Sequence, residues 1–458
     1  MENTTKKFRP MNRVLVCFLI ALTTVIGFSV SSYINYGTLD IFGGTSQEKP
    51  EEVLRESIVF QPNVGTVVER DAEQQDGLIT EDINADDSIT IDTKTEVLDD
   101  KWYRNHLSEE EQEIYDVLRQ GFVTLADDID IPDSAPDSVE KCYEYVLNDT
   151  PEIFWLGNSY QYIITANQQS ILSVQPEYKY SKEEIEKYQI QIQKLRDEII
   201  SQIPAEMNND YDKAKFLYSL IAEVLTYNED WADNQDLATV FLKNVSACGG
   251  YSKIYQYLLR GAGIESLYIT GVANANGEEI LHAWNALKLD GVVCYADVTW
   301  GDKDDKISTD YSWFGLTLDS ISINHVPTSL ELVPAAPDNR YELWTIQDSY
   351  YDIYDEATVF ARVLESLDEH QLSLGIRFAT QEELDKAYDQ LRTSTRLATQ
   401  AVMNHREVFN DPEDGIYKIY KVPGLNACVI EWKYADQQIG GDQTFGSNSP
   451  SNSSNRTI

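Results

Sequence analysis

The stretch from His282 to Thr299 constrains this chain more than any other. Two apolar runs, HAWNALKL and VVCYADVT, flank Asp290-Gly291. Asp-Gly between such runs is a strong hairpin signal, because a tight I′ turn needs residues that accept positive φ. With those two residues as the loop, Leu289 faces Val292, Trp284 opposes Asp297, and His282 faces Thr299. Residues two apart on a strand share a face, and so do directly opposed residues. His282 and Asp297 are then diagonal neighbours, about 7 Å apart or less at Cβ. An imidazole and a carboxylate can hydrogen-bond across that gap. A four-residue loop keeps this register, whereas a three-residue loop turns the faces and breaks the pairing. Cys294 falls on the opposite face from Asp297 and is assigned to packing.

Cys248 stands where a helix is expected to begin. Tyr251, Ile254, Tyr255, Leu258 and Leu259 follow at helical spacing, and Gly261 and Gly263 mark the end. Free backbone N–H groups and the helix dipole favour a thiolate at such a position. Gly249 and Gly250 leave room for a substrate backbone. Alone, Cys248 reads equally well as a buried structural cysteine. Joined to a His–Asp pair, it gives the constellation of nucleophilic acyl transfer. In that expectation Asp297 orients His282, His282 takes the thiol proton, and Cys248 forms a thioester.

Three short motifs carry a resemblance. Cys248-Gly-Gly250-Tyr251-Ser252, His282-Ala283-Trp284-Asn285 and Asp297-Val298-Thr299-Trp300 occur in this order. The stretch Asp212–Trp313 resembles the transglutaminase-like superfamily, with its papain-like core. Asn148–Leu156 (NDTPEIFWL) looks like the N-terminal extension of bacterial cell-surface members. The resemblance implies an α+β fold: a cysteine-bearing helix packed on an antiparallel sheet, a helical N-terminal extension and a small α/β C-terminal unit. It implies a catalytic set of Cys248, His282 and Asp297, with no cofactor and no metal. The implied function is a cysteine enzyme acting on amide bonds of protein or peptide substrates, as a protease, a deamidase or a transglutaminase-type acyltransferase. The alternative is a catalytically silent surface scaffold or binding protein with the same fold. A metal-dependent hydrolase is a third idea that no ligand cluster in the sequence supports. Relatives often carry a histidine where Tyr218 stands, outside the catalytic set. Tyr227 and Trp231 are candidate oxyanion donors beside the Cys248 N–H, but neither is placed in the site. His106, His325, His370 and His405 have no partner by pattern and are read as surface or core residues.

The rest of the chain frames this core. With 458 residues, several units are expected. Lys6, Lys7, Arg9 and Arg13 precede an apolar run from Val14 to Val30, which suggests residues 1–36 are a membrane anchor or export signal. Extended through Ser31–Tyr33, the run reaches about the 20 residues a crossing helix needs. The expected body is extracellular, anchored by a single pass, or secreted if the segment is cleaved. Residues 37–100 are acidic and poor in aromatics, the composition of a disordered stalk. Residues 101–205 read as a helical and hairpin extension, 206–335 as the catalytic core, 336–436 as the small α/β unit, and 437–458 as a disordered tail. The net charge of −41, from 77 acidic and 36 basic residues, argues against a nucleic-acid partner. Cys17, Cys142, Cys248, Cys294 and Cys428 match no zinc spacing. At most one bridge among Cys142, Cys294 and Cys428 is open.

Overall fold

The computed structural model describes residues 5–10, 98, 101–164, 170–228, 235–275, 277–303, 309–392, 397–409 and 417–434. The Val14–Val30 run, the expected 37–100 stalk apart from Leu98, Trp231 and the expected 437–458 tail lie outside them. No described helix is long and apolar enough to cross a membrane. The expected transmembrane helix is therefore not among the described elements.

The first layer pairs helices with an antiparallel sheet. Its elements are β1 (Thr5–Pro10), α1 (Trp102–Asn105), α2 (Glu109–Thr124), β2 (Ile129–Ser134), α3 (Pro136–Asp149), β3 (Leu156–Ile164) and β4 (Ile171–Tyr178). The sheet order is β1-β3-β4-β2. Ser108 and Glu111 form a reciprocal capping box that starts α2. Val139, Cys142, Tyr143 and Val146 make the buried stripe of α3. Next come α4 (Lys182–Ser201), α5 (Asp210–Val224), β5 (Thr226–Tyr227), α6 (Leu237–Lys243) and β6 (Val245–Ser246). Ser181 and Glu184 box the start of α4 in the same way.

The centre of the molecule is α7 (Cys248–Gly261) against a five-stranded antiparallel sheet. The sheet runs β10-β9-β8-β7-β11. Its strands are β7 (Ser266–Ala275), β8 (Glu278–Leu289), β9 (Val292–Ala296), β10 (Phe314–Leu316) and β11 (His325–Pro327), with α8 (Val298–Gly301) and α9 (Leu318–Ile321) between them. The periodicity suggested one apolar face on α7. The structure buries every residue from Cys248 to Leu259, because α4, α5 and α6 cover the side away from the sheet. Asn285, itself fully buried, donates to the Ser252 and Leu267 carbonyls at 3.0 Å each and so ties α7 to β7 and β8.

The β8–β9 register follows from the two-residue loop. Leu289 pairs Val292 and Asn285 pairs Ala296, with Asp290 and Gly291 both at positive φ. Two details depart from the sequence reading. β8 begins at Glu278, so His282 is its fifth residue and not its first. β9 stops at Ala296, and Asp297 caps α8 instead of continuing the strand toward Thr299.

The last unit holds α10 (Leu343–Ile346), β12 (Tyr350–Tyr351), α11 (Glu356–Asp368), β13 (Ser373–Phe378), α12 (Gln381–Arg392), α13 (Leu397–Asn404), β14 (Tyr417–Val422) and β15 (Ala427–Trp432). Its sheet order is β12-β13-β15-β14. Leu374, Ile376 and Phe378 point into its core, as their alternation requires. The tight turn at Pro423-Gly424 joins β14 to β15, with Gly424 at φ +75°.

Candidate functional site: a buried histidine–aspartate–histidine cluster

Asp297 is the hub of the site. As N-cap of α8 its Oδ1 accepts from the Trp300 N–H at 3.2 Å. Its Oδ2 lies 2.7 Å from His282 Nε2 and 3.1 Å from His325 Nε2. Its backbone carbonyl accepts from the Tyr218 hydroxyl at 2.8 Å, and that hydroxyl also donates to the Asp310 carbonyl. Tyr218 therefore holds the chain around Asp297. All three cluster residues are buried. The rings of Trp284, Trp300 and Trp313 lie 5.0, 4.6 and 5.7 Å from that of His325 and wall the cluster off.

His325 comes from β11, two strands away from β8, and crosses β7 to reach the aspartate. It pairs Ala273, while Pro327 pairs Gly271, which pairs His282. These positions share one face of the sheet. The small residues at 271 and 273 leave the space through which the imidazole reaches Asp297. Asn324 orients the ring: its Oδ1 meets His325 Nδ1 at 2.8 Å, and its Nδ2 donates to the Pro423 carbonyl at 3.2 Å. The amide is thus set by Pro423, and each ring nitrogen of His325 faces an oxygen, Asn324 Oδ1 on one side and Asp297 Oδ2 on the other. Sequence reasoning missed His325, because the β7–β11 pairing is not written in local spacing. The small residues at 271 and 273 were the one trace of it.

Electrostatics couple the three groups. Burial alone lowers the basicity of His282, but the Asp297 carboxylate outweighs it and pushes the imidazole up to about 10, with Cys248 adding to the rise. Burial works to raise Asp297, and its hydrogen bonds and charge contacts with His282 and His325 instead hold it well below the usual carboxylate range. His325 is lowered, first by burial and also by the charge on His282. One carboxylate thus holds one imidazolium, and the second imidazole resists a second charge.

The structure corrects the expected Cys–His–Asp triad. The groups whose ligand atoms all lie within 4.8 Å of one another are His282, Asp297 and His325, and Cys248 is not a member. His282 Nδ1 makes no hydrogen bond of good geometry, although Cys248 lies near enough to add to the rise in His282 basicity. Cys248 is buried at the start of α7 and packs with Tyr268 and Ala283. The Gly249 N–H beside it donates to Gln235 Oε1 at 2.5 Å. Cys142, Cys248, Cys294 and Cys428 are all free and buried. The assignment of a cysteine hydrolase or acyltransferase working through a triad and a thioester rested on that relay and falls with it. Tyr227 is exposed on β5, its ring 6.2 Å from that of Tyr251 and tilted against it.

His282, Asp297 and His325 are a set that could hold a metal ion. Their spacing is that of hydrogen bonds. The 2.7 Å contact between His282 and Asp297 is shorter than the roughly 3.3 Å between neighbouring ligands of a tetrahedral ion with bonds of about 2.0 Å. The cluster as built therefore fits a proton better than a metal.

Residues 197–314 match the Transglutaminase-like superfamily. The kyphoscoliosis peptidase of Mus musculus is 23% identical over 126 residues, covering 25% of this chain and 19% of that protein. The kyphoscoliosis peptidase of Homo sapiens is 25% identical over 118 residues, covering 23% of this chain and 18% of that protein. The chain thus spans less than a fifth of the length of either. A solved TGase structure aligns with 32% of this chain and 46% of its own, at 20% identity and a TM-score of 0.23. The stretch that holds Cys248, His282 and Asp297 is thus similar to the Transglutaminase-like superfamily over residues 197–314.

Proposed function

We propose that this chain is a protein- or peptide-binding module built on the transglutaminase-like fold. The observation that carries the reading is the closure of Asp297 between two histidines. A carboxylate shared by His282 and His325 ties β8, α8 and β11 together and serves as a buried structural knot. Hydrogen-bonded polar groups this deep fix one arrangement of the elements around them, although His282 Nδ1 has no hydrogen-bond partner within the cluster. The likeness to kyphoscoliosis peptidase supports a polypeptide as the bound molecule.

The test uses a peptide library with the full chain and with Cys248→Ala. Binding is read by pull-down with mass spectrometry, and turnover by mass change of the peptides. The expected outcome is a common set of retained peptides, unmodified, for both proteins. Peptides cleaved, deamidated or cross-linked by the wild type and left intact by Cys248→Ala would overturn the reading. So would a library from which neither protein retains anything.

A further inference from the structure

A cleft beside α7 carries positive charge in a protein of net charge −41. It is lined by Ile153, Phe154 and Leu156 on its apolar side, and by Lys179, Asp236 and Lys253 on its polar side. Asp236 is already fully engaged. As the cap of α6 it accepts from the Thr239 N–H at 2.9 Å, and it also takes the Thr239 hydroxyl at 3.3 Å and Lys179 Nζ at 3.1 Å. Lys179 thereby uses up the only carboxylate among the cleft-lining residues.

Lys253 is left over. It is only 7% exposed, and no hydrogen bond or ion pair reaches it among the described residues. Its Nζ sits 5.5 Å from the centre of the Tyr268 ring, a contact that steers the ammonium without neutralising it. Burial, and then the charge of Lys179, bring its amine down to about 8, so it is still mostly charged at neutral pH. A buried charge without a partner is costly, and the simplest remedy is an anion from outside. Ile153, Phe154 and Leu156 beside Lys253 suit an anion that carries a hydrocarbon stem.

We propose that this cleft binds a carboxylate on an apolar stem, contributed by the peptide that the module holds, with Lys253 as the charge partner. This rests on the peptide-binding reading. The carboxylate can be a C-terminus or an acidic side chain, and the test separates the two.

The experiment is calorimetric titration of the full chain with the tripeptide Ala-Leu-Leu as free acid, with its C-terminal amide, with Ala-Leu-Glu amide, and with acetate. The free acid is expected to bind about ten- to a hundredfold tighter than its amide, the worth of a hydrogen bond to a charged group. Lys253→Met keeps the volume and removes the charge, and should erase that difference while circular dichroism shows the fold intact. Lys253→Gln serves as the second variant if Lys253→Met does not fold. Recovery of tight binding by Ala-Leu-Glu amide assigns the site to acidic side chains, and its failure assigns it to C-termini. Equal binding of acid and amide by the wild type overturns the proposal, as does an acid preference that persists in both variants. Acetate bound by the wild type alone, with no tripeptide bound, keeps the carboxylate site and sinks the peptide-binding reading. Tripeptides bound with no acid preference sink the site and keep that reading.

Discussion

Asp297 serves the molecule through three different atoms. Oδ1 caps α8, Oδ2 holds two imidazoles, and the backbone carbonyl takes Tyr218. The His282 partner makes stability depend on pH in a definite direction. His282 titrates from 6.5 up to about 10 in the folded chain, so folding retains a proton that the unfolded chain releases. Its contribution is fully present below pH 6.5 and is lost as pH rises through 10. Urea unfolding at pH 6.5, 8 and 9.5 should show a falling midpoint in the wild type and a flatter trend in His282→Gln. Parallel trends in both proteins would assign the pH dependence to other groups.

Elements decide whether those atoms can meet. The β8–β9 hairpin delivers Asp297 and His282 through a two-residue loop whose register is local. β11 delivers His325 only because β7 offers Gly271 and Ala273 beneath it. A Cβ at Gly271 would lie against the Val326 carbonyl oxygen and 2.8 Å from Pro327 Cα, both backbone atoms of β11. Backbone cannot turn aside as a flexible side chain can. Gly271→Ala should therefore push β11 outward, cost about 1–3 kcal/mol as overpacking does, and move the His325 ring off Asp297. Thermal unfolding measures the cost, and the histidine ring resonances in NMR report the displacement. A variant with wild-type Tm and unchanged histidine signals would show that β11 yields freely.

At the scale of the whole molecule, the C-terminal sheet is joined to the cluster through hydrogen bonds. Pro423, at the β14–β15 turn, sets Asn324, and Asn324 sets His325. Tyr420 on β14 donates to Asp310, whose carbonyl also accepts from Tyr218. The net charge of −41 acts against all of this, since like charges repel across a compact body. Raising sodium chloride from about 10 mM to about 0.5 M shortens the screening length from about 30 Å to under 5 Å. The Tm should rise by several degrees over that range, and a fall would mean that surface ion pairs outweigh net repulsion.

The sequence by itself determined what depends on neighbours along the chain. Asp290-Gly291 and the apolar runs beside it set a register that puts His282 next to Asp297. The capping boxes at Ser108 and Ser181, the helix after Cys248 and the alternation of Leu374, Ile376 and Phe378 were legible for the same reason, since turn, cap and period are local physics, although Leu372, read as part of the same buried stripe, is exposed ahead of β13. The exposed, largely polar start of β8 at Glu278–Ile280 carries no apolar alternation, and burial on every side hid the all-round cover of α7, because a segment enclosed by other elements loses its one-sided pattern. Only the tertiary structure decided the composition of the cluster. His325 lies 28 residues beyond Asp297, and no local pattern says that β11 will pair β7 or that Gly271 and Ala273 will clear its path. Packing placed a second imidazole on the aspartate and left Cys248 outside the hydrogen-bonded group.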